Sequence, residues 1–213
     1  TGTVKAGSSG ASSVSMYIHN SNWTVYQYTT TDSSGNFEFA LNKNCSSCKV
    51  EVSSWGLPSG YFAPAAEEVS VTKGIANSAI TINLEAATKT ISGTVTMNGD
   101  DVAKVAAGTP VTDAYGSCYQ SSGNYNYTSF NTSSSGAFSV MVTGGKWKCY
   151  LWPNTWPATW AYVDGEFNPD FVKDSTTETA TYNLRVEPFN SYIIGTISYP
   201  DGSTVGEYGV YIY

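Results

Sequence analysis

Apolar residues recur at every second position in short runs along this chain, which is the period of strands that bury one face. Val14, Met16 and Ile18 alternate with Ser15 and Tyr17, and Phe37, Phe39 and Leu41 alternate with Glu38 and Ala40. Val50 and Val52 follow, then Ile80, Ile82 and Leu84 against Thr81 and Asn83. The same parity returns in Phe138, Val140 and Val142, in Cys149 and Leu151, and in Tyr182 and Leu184. A one-residue slip would turn any of these sets toward solvent, so matched parity in two places argues for one fold written twice. Turns fall between the runs: Asp32-Ser33-Ser34-Gly35, Ser133-Ser134-Ser135-Gly136, Gly144-Gly145 and Pro200-Asp201-Gly202 each supply a glycine where a hairpin needs positive φ. Sustained 3.6-residue periodicity is absent, and Ala63-Pro64-Ala65-Ala66-Glu67-Glu68 allows one helical turn at most.

The repetition extends to the letters. Gly2-Thr3-Val4 opens one copy, Ile91-Ser92-Gly93-Thr94-Val95 a second, and Ile193-Ile194-Gly195-Thr196-Ile197 a third. Asp32-Ser33-Ser34-Gly35-Asn36-Phe37 is echoed by Ser133-Ser134-Ser135-Gly136-Ala137-Phe138, Lys49-Val50-Glu51-Val52 by Lys148-Cys149-Tyr150-Leu151, and Ile82-Asn83-Leu84 by Tyr182-Asn183-Leu184. The period, roughly 90–100 residues, suits a small domain and exceeds a solenoid unit. The expected organisation is a β-sandwich over residues 1–88, a second over 89–188, and the incomplete start of a third over 189–213. The connecting segments 86–90 and 187–191 are short and lack Gly/Ser runs, which predicts stiff rather than flexible joints. The fold class is all-β: tandem antiparallel, Ig-like sandwiches.

The order of strand-Gly-Thr-Val, a short turn, a strand with small residues, Thr31-Asp32-Ser33-Ser34-Gly35-Asn36-Phe37 and then Lys49-Val50-Glu51-Val52 resembles carboxypeptidase regulatory-like domains. These are seven-stranded transthyretin-like (prealbumin-like) sandwiches, similar to the B-type repeats of collagen-binding surface adhesins. The resemblance covers both full copies and the third opening. It implies no peptidase activity. Such domains commonly stand in tandem in large bacterial and archaeal surface proteins, and the resemblance implies the same setting here.

Composition narrows the function. Of 213 residues only 13% are charged and 14% are aromatic, so this Ser/Thr/Gly-rich chain is folded rather than disordered. A net charge of −7 with ten basic residues leaves no footprint for nucleic acid or for an anionic membrane. No apolar run is long enough to span a bilayer. The sequence opens directly on a strand without a basic-then-apolar leader, the expectation for a processed or excerpted protein. Four cysteines in a lysine-poor chain favour an oxidising compartment, so the location is read as secreted or cell surface.

Candidate chemistry is sparse. His19 is the one histidine, read as a surface or edge-strand residue, and zinc or Ser-His catalysis would need more than it supplies. Asp164, Glu166, Asp170 and Asp174 cluster in one stretch, read as a solvated loop rather than a glycosidase pair. No enzyme activity, cofactor or metal is expected. Cys45-Ser46-Ser47-Cys48 is expected to close locally across a turn, and Cys118 to reach Cys149 within the second unit, although four cysteines leave three connectivities open. Some similar adhesin repeats carry a Lys–Asn isopeptide bond; Lys5 and Asn83 have the residue types, but Thr96 replaces the lysine in the second copy and Asn83 faces outward by parity. Sequons place possible glycans at Asn22, Asn44, Asn126 and Asn131, all in expected turns or strand ends.

Trp152, Trp156 and Trp160 with Tyr162 form an aromatic loop that has two readings: a glycan-stacking platform, or rings packed over the sandwich edge. The third opening brings Ile193, Ile194 and Ile197 with Tyr211 and Tyr213, and two strands alone bury no sandwich core. They are expected to pair with strands that follow or with a neighbouring subunit, a head-to-tail contact that would propagate as a filament. The reading is an extracellular structural or adhesive segment of a surface stalk or filament, partnered by neighbouring domains or identical subunits. A carbohydrate-binding module using the Trp152–Trp160 loop is the alternative, and an accessory domain of a secreted hydrolase a remote one.

Overall fold

The computed structural model describes residues 1–101, 103–121, 125–154, 160–162, 170–171, 179–189, 198–200 and 203. Ile193, Ile194, Ile197, Tyr211, Tyr213 and Trp156 lie outside the described residues, as do Asp164, Glu166 and Asp174. No helix occurs among the described residues.

In chain order the first strands are β1 (Gly2–Ala6), β2 (Ser9–Gly10), β3 (Ser15–Asn20), β4 (Tyr26–Thr30), β5 (Asn36–Phe37) and β6 (Cys45–Val52). After them come β7 (Tyr61–Phe62), β8 (Glu67–Val71), β9 (Ile80–Asn83) and β10 (Glu85–Ala86). One sheet runs β2-β1-β5 with β9 also on β1, and its companion runs β4-β3-β6-β8. The second set is β11 (Lys89–Met97), β12 (Ala114–Gln120), β13 (Tyr127–Asn131), β14 (Ala137–Val142), β15 (Gly145–Pro153), β16 (Trp160–Tyr162), β17 (Asp170–Phe171) and β18 (Thr179–Pro188). Its sheets run β14-β11-β18-β16 and β13-β12-β15-β17. Each pair of sheets encloses its own core, Val4, Val14, Met16, Ile18, Val50 and Ile82 in one and Ile91, Val95, Val140, Val142, Cys149 and Val186 in the other. Of these, Val14, Met16, Ile18, Val50, Ile82, Val140, Val142 and Cys149 are positions that the period-two pattern turned inward.

The sequence predicts antiparallel sandwiches, but two of the pairings are parallel. The opening strand of each set lies parallel to its closing strand, β1 with β9 and β11 with β18. The register also corrects the repeat alignment. Val4 stands beside Ile82 while Val95 stands beside Leu184, so Ile82 corresponds to Leu184 and not to Tyr182. The shift is two residues, which preserves parity and so leaves no trace in the hydrophobic pattern.

The repeated Gly-Thr-Val has a steric cause. A Cβ on Gly2 would lie 2.6 Å from both the Ile80 carbonyl oxygen and the Phe37 ring, and one on Gly93 would lie 1.5 Å from the Tyr182 carbonyl oxygen. In both copies the closing strand and a phenylalanine press on the opening strand where only hydrogen fits. The turn glycines Gly35 and Gly136 take positive φ and pass their carbonyls to the Val4 and Val95 N–H groups, each at 2.8 Å. Buried Thr31 and Thr132 anchor the strands before these turns: each hydroxyl accepts a backbone N–H, from Val14 at 2.9 Å and from Ala114 at 3.1 Å.

The two turns differ in one titratable group. Asp32 Oδ1 accepts the Ser34 and Asn36 N–H groups, both at 2.8 Å, whereas the second turn uses the Ser133 hydroxyl at 3.3 and 3.2 Å. Hydrogen bonds from the Asn36 and Ser34 backbone hold the Asp32 carboxyl below the usual range. A depressed carboxyl adds stability that is complete above the unfolded value of about 3.9 and fades as pH falls through the folded one. Asp32→Ser should therefore remove stability at neutral pH and remove none in strong acid. Urea unfolding of the two proteins across pH checks this; a difference that does not depend on pH would contradict it.

Two local expectations are corrected. Cys45-Ser46-Ser47-Cys48 is not a turn but the irregular start of β6, where pairing with β8 shifts register between the cysteines. Phe37–Leu41 does not run as one strand: β5 stops at Phe37, whereas its counterpart β14 continues through Val142. Over this stretch β14 is paired by the front of β11, Lys89–Ser92.

Candidate functional site

The contact between the two sandwiches is the most elaborate feature built by unlike parts of the two copies. After β6 the chain crosses to β7, which pairs with β10 just before the second sandwich begins. Only Ala87 and Thr88 separate β10 from β11, and the Ala87 N–H is held by the Gly60 carbonyl at 2.8 Å. Phe62 and Ala87 leave the first core and pack into the second. There the Phe62 ring meets Trp147 edge to face, centroids 5.3 Å apart at 70°. Trp147 is fully buried and donates its indole N–H to the Thr143 carbonyl at 3.0 Å.

Beside this plug a single side chain clasps the incoming backbone. Asn126 Oδ1 accepts the Ala63 N–H and Asn126 Nδ2 donates to the Ala63 carbonyl, both at 2.9 Å. The amide thus supplies the donor and acceptor that a neighbouring strand would otherwise present. Asn126 Nδ2 also donates to Gln120 Oε1 at 3.0 Å, which fixes the orientation of the amide. With Asn126 1% exposed, this is a dry contact in which a missing partner would leave Ala63 unsatisfied. A shallower contact stacks Trp55 on Tyr127 at 5.7 Å and 23°.

These residues are the departures between the copies. Asn20 receives the Val25 carbonyl on its N–H as Gln120 receives that of Asn126, so valine occupies the clasp position in the first sandwich. Cys48 faces Asn20 across the ladder where Trp147 faces Gln120. Sequence reasoning missed Phe62, Asn126 and Trp147 as joint residues. The one available signal was that the second copy places a large ring and an amide where the first has small or aliphatic residues.

The other candidate residues are distributed as follows. Cys45 is bonded to Cys48 and Cys118 to Cys149. Cys118 faces Cys149 across β12 and β15 where Ile18 faces Val50 across β3 and β6, so the second disulfide stands in for an apolar pair. Asn22, Asn44 and Asn131 are exposed, whereas the Asn126 amide is buried and its nitrogen donates to the Ala63 carbonyl. His19, expected at the surface, is 6% exposed because the Trp23 indole stacks flat on it at 4.0 Å. Its Nε2 lies 3.3 Å from Glu51 Oε1 but is not aligned for a hydrogen bond.

The aromatic loop divides. Trp160 is 2% exposed, a core residue with no face to offer a sugar, while Trp152 is 43% exposed. Trp152 belongs to a different surface, the outer face of the β13-β12-β15 sheet. There it meets Tyr115 and Tyr150 edge to face, Tyr119 stacks on Tyr150 at 5.5 Å, and the Tyr115 and Tyr127 hydroxyls are hydrogen-bonded. Partial burial, with the Tyr115 hydroxyl adding to it, pushes the Tyr127 phenol up. Of Tyr162 only the backbone is described, on β16.

No family model matches the sequence, and no curated protein matches it. Solved structures do. The minor pilin GBS52 of Streptococcus agalactiae is 11% identical, with 88% of this chain covering 89% of that one at a TM-score of 0.47. The shaft pilin SpaA of Lactobacillus rhamnosus GG is 13% identical over 89% of each chain at 0.32. The Bacillus anthracis TIE protein is 15% identical over 83% of this chain at 0.34, and the chain spans 31% of its length. Superpositions this loose transfer no site, ligand or mode of assembly.

Proposed function

We propose that the chain is a segment of an extracellular structural or adhesive protein, in which carboxypeptidase-regulatory-like, transthyretin-like sandwiches are held in fixed succession within a surface stalk or filament. The observation that carries this reading is the joint. Phe62 enters the neighbouring core and Asn126 clasps the Ala63 backbone, so the connection transmits orientation as well as length. A tether that merely kept two binding modules near each other would need neither contact. Both disulfides suit an oxidising compartment. No helix among the described residues is long and apolar enough to cross a membrane. The partners in this reading are neighbouring domains or identical subunits. Immunogold electron microscopy of the producing cells tests it: label should follow extended structures outside the cell, and label confined to the interior would contradict it.

A second reading rests on the outer aromatic face. Tyr115, Tyr119, Tyr150 and Trp152 present ring faces and hydroxyls, the chemistry that stacks on and hydrogen-bonds neutral sugars. Carbohydrate binding at this sheet face, rather than at the Trp152–Trp160 loop, would appear as glycan-array signal lost in Trp152→Ala. A signal unaffected by that change would remove this reading.

A further inference from the structure

Two phenols on the outer face of the second sandwich lie ring against ring and hydroxyl against hydroxyl. Tyr119 on β12 and Tyr150 on β15 are diagonal neighbours, since the register sets Tyr119 beside Lys148 and Ser117 beside Tyr150. Diagonal positions stand about 7–8 Å apart at the backbone, within reach of aromatic side chains. The two rings are 10° from parallel with centroids 5.5 Å apart, and their hydroxyl oxygens are hydrogen-bonded at 2.9 Å. The hydroxyl ends are thus closer than the ring centres, which brings together the Cε carbons that flank the two oxygens. Cys118 and Cys149, the residue before each tyrosine, are bonded to each other and fix this register. Trp152 packs edge to face on Tyr150 and limits its swing.

Other tyrosine contacts lack this combination. Tyr17 and Tyr28 on the first sandwich have the same 5.5 Å separation, but their planes cross at 53°. The Tyr28 hydroxyl is engaged elsewhere, by Ser15 at 3.1 Å and Thr30 at 3.0 Å. Tyr17 and Tyr26 are 6.1 Å apart at 29°. Tyr115 and Tyr127 share a hydroxyl contact, with the Tyr115 ring set edge to face against Trp152.

We propose that Tyr119 and Tyr150 are an oxidative cross-linking site, joined as dityrosine by hydrogen peroxide acting through a peroxidase-class catalyst. Each phenol gives up one electron and one proton, and the peroxide takes up both electrons and both protons to leave two waters. At neutral pH a phenol loses its electron together with its proton, so the proton needs an acceptor. One hydroxyl of this pair already donates to the other, and both side chains are half-buried, so water reaches the site. In the resulting radicals the unpaired electron is shared by the oxygen and the ortho and para ring carbons, and the para carbon is blocked by Cβ. A bond therefore forms between Cε of Tyr119 and Cε of Tyr150, and the ring hydrogens at those carbons move to the oxygens to restore both phenols. All four cysteines are disulfide-bonded, so no thiol of this chain competes for the radical. The product ties the same two strands as the Cys118–Cys149 bond and, being carbon–carbon, survives reductant. The inference rests on neither functional reading above and holds or fails without them.

The test treats the full, disulfide-bonded chain at low concentration with a haem peroxidase and hydrogen peroxide. Mass spectrometry of the digest should find the Tyr119 and Tyr150 peptides joined and lighter by two hydrogen atoms than their sum. Dityrosine fluorescence should appear, be largely lost in Tyr119→Phe and in Tyr150→Phe, and persist in Tyr28→Phe. After reduction of the disulfides the coupled chain should melt at least about 5 °C above the uncoupled one. No dityrosine, or links found at Tyr17–Tyr28, at Tyr115–Tyr127 or between chains in place of Tyr119–Tyr150, would overturn the site. Coupling at Tyr119–Tyr150 that leaves melting in reductant unchanged would overturn its role as a reductant-proof tie.

Discussion

Replacing Trp147 by alanine should destabilise the second sandwich by about 3–5 kcal/mol, the range for emptying a buried large aromatic site. The indole is fully buried, its N–H is satisfied within the fold, and its ring edge supports Phe62 from the first sandwich. The variant therefore removes core packing and the seat of the plug together. Phe62 then loses the wall of its socket, and the first sandwich should unfold independently of the second. In calorimetry the wild-type chain should show coupled unfolding, and Trp147→Ala a separated, lower transition for the second sandwich. A loss below about 1 kcal/mol would mean that the site collapses without consequence, and the packing account of the joint would be wrong.

Removing the Cys118–Cys149 bond comes next in size. The cysteines are 31 residues apart, so the cross-link lowers the unfolded chain's entropy by the equivalent of about 3–4 kcal/mol. Cys118→Ala with Cys149→Ala should lose that amount and more, because it also empties two fully buried positions. The first sandwich shows the repair: Ile18 and Val50 fill the equivalent cross-strand pair without a bond. Cys118→Ile with Cys149→Val should thus recover about 1–3 kcal/mol of the loss by restoring apolar volume. Urea titration of the three oxidised proteins checks the ranking. If the isoleucine–valine pair is no better than the alanine pair, the equivalence drawn between the two cores fails.

Parity carried most of the fold. Val14, Met16 and Ile18 or Phe138, Val140 and Val142 point inward only in registers of one parity, and both copies agree. Parity was blind to the two-residue shift that pairs Ile82 with Leu184, because moving by a full period leaves every face unchanged. The pattern around Phe39 and Leu41 matched a strand, yet β5 ends at Phe37. The joint was the least legible part. Asn126 sits in a sequon and reads as a surface turn, and only the approach of the Ala63 backbone from another sandwich turns its amide into a buried clasp. Trp147 shares the inward parity of Cys149 and Leu151, but parity says only that it is buried and not that it meets Phe62 from the other sandwich. Long-range contacts between unlike segments leave no periodic mark, and the joint is made entirely of them.

A distance between the two sandwiches tests the fixed joint most directly. Nitroxide labels on Ser33→Cys and Ser134→Cys, both on exposed turns, report it by pulsed electron spin resonance in the otherwise disulfide-bonded chain. The account predicts one narrow distance distribution in the parent chain, broadened severalfold when Phe62→Ala and Asn126→Ala are combined. A broad distribution in the parent chain, unchanged by those substitutions, would contradict it.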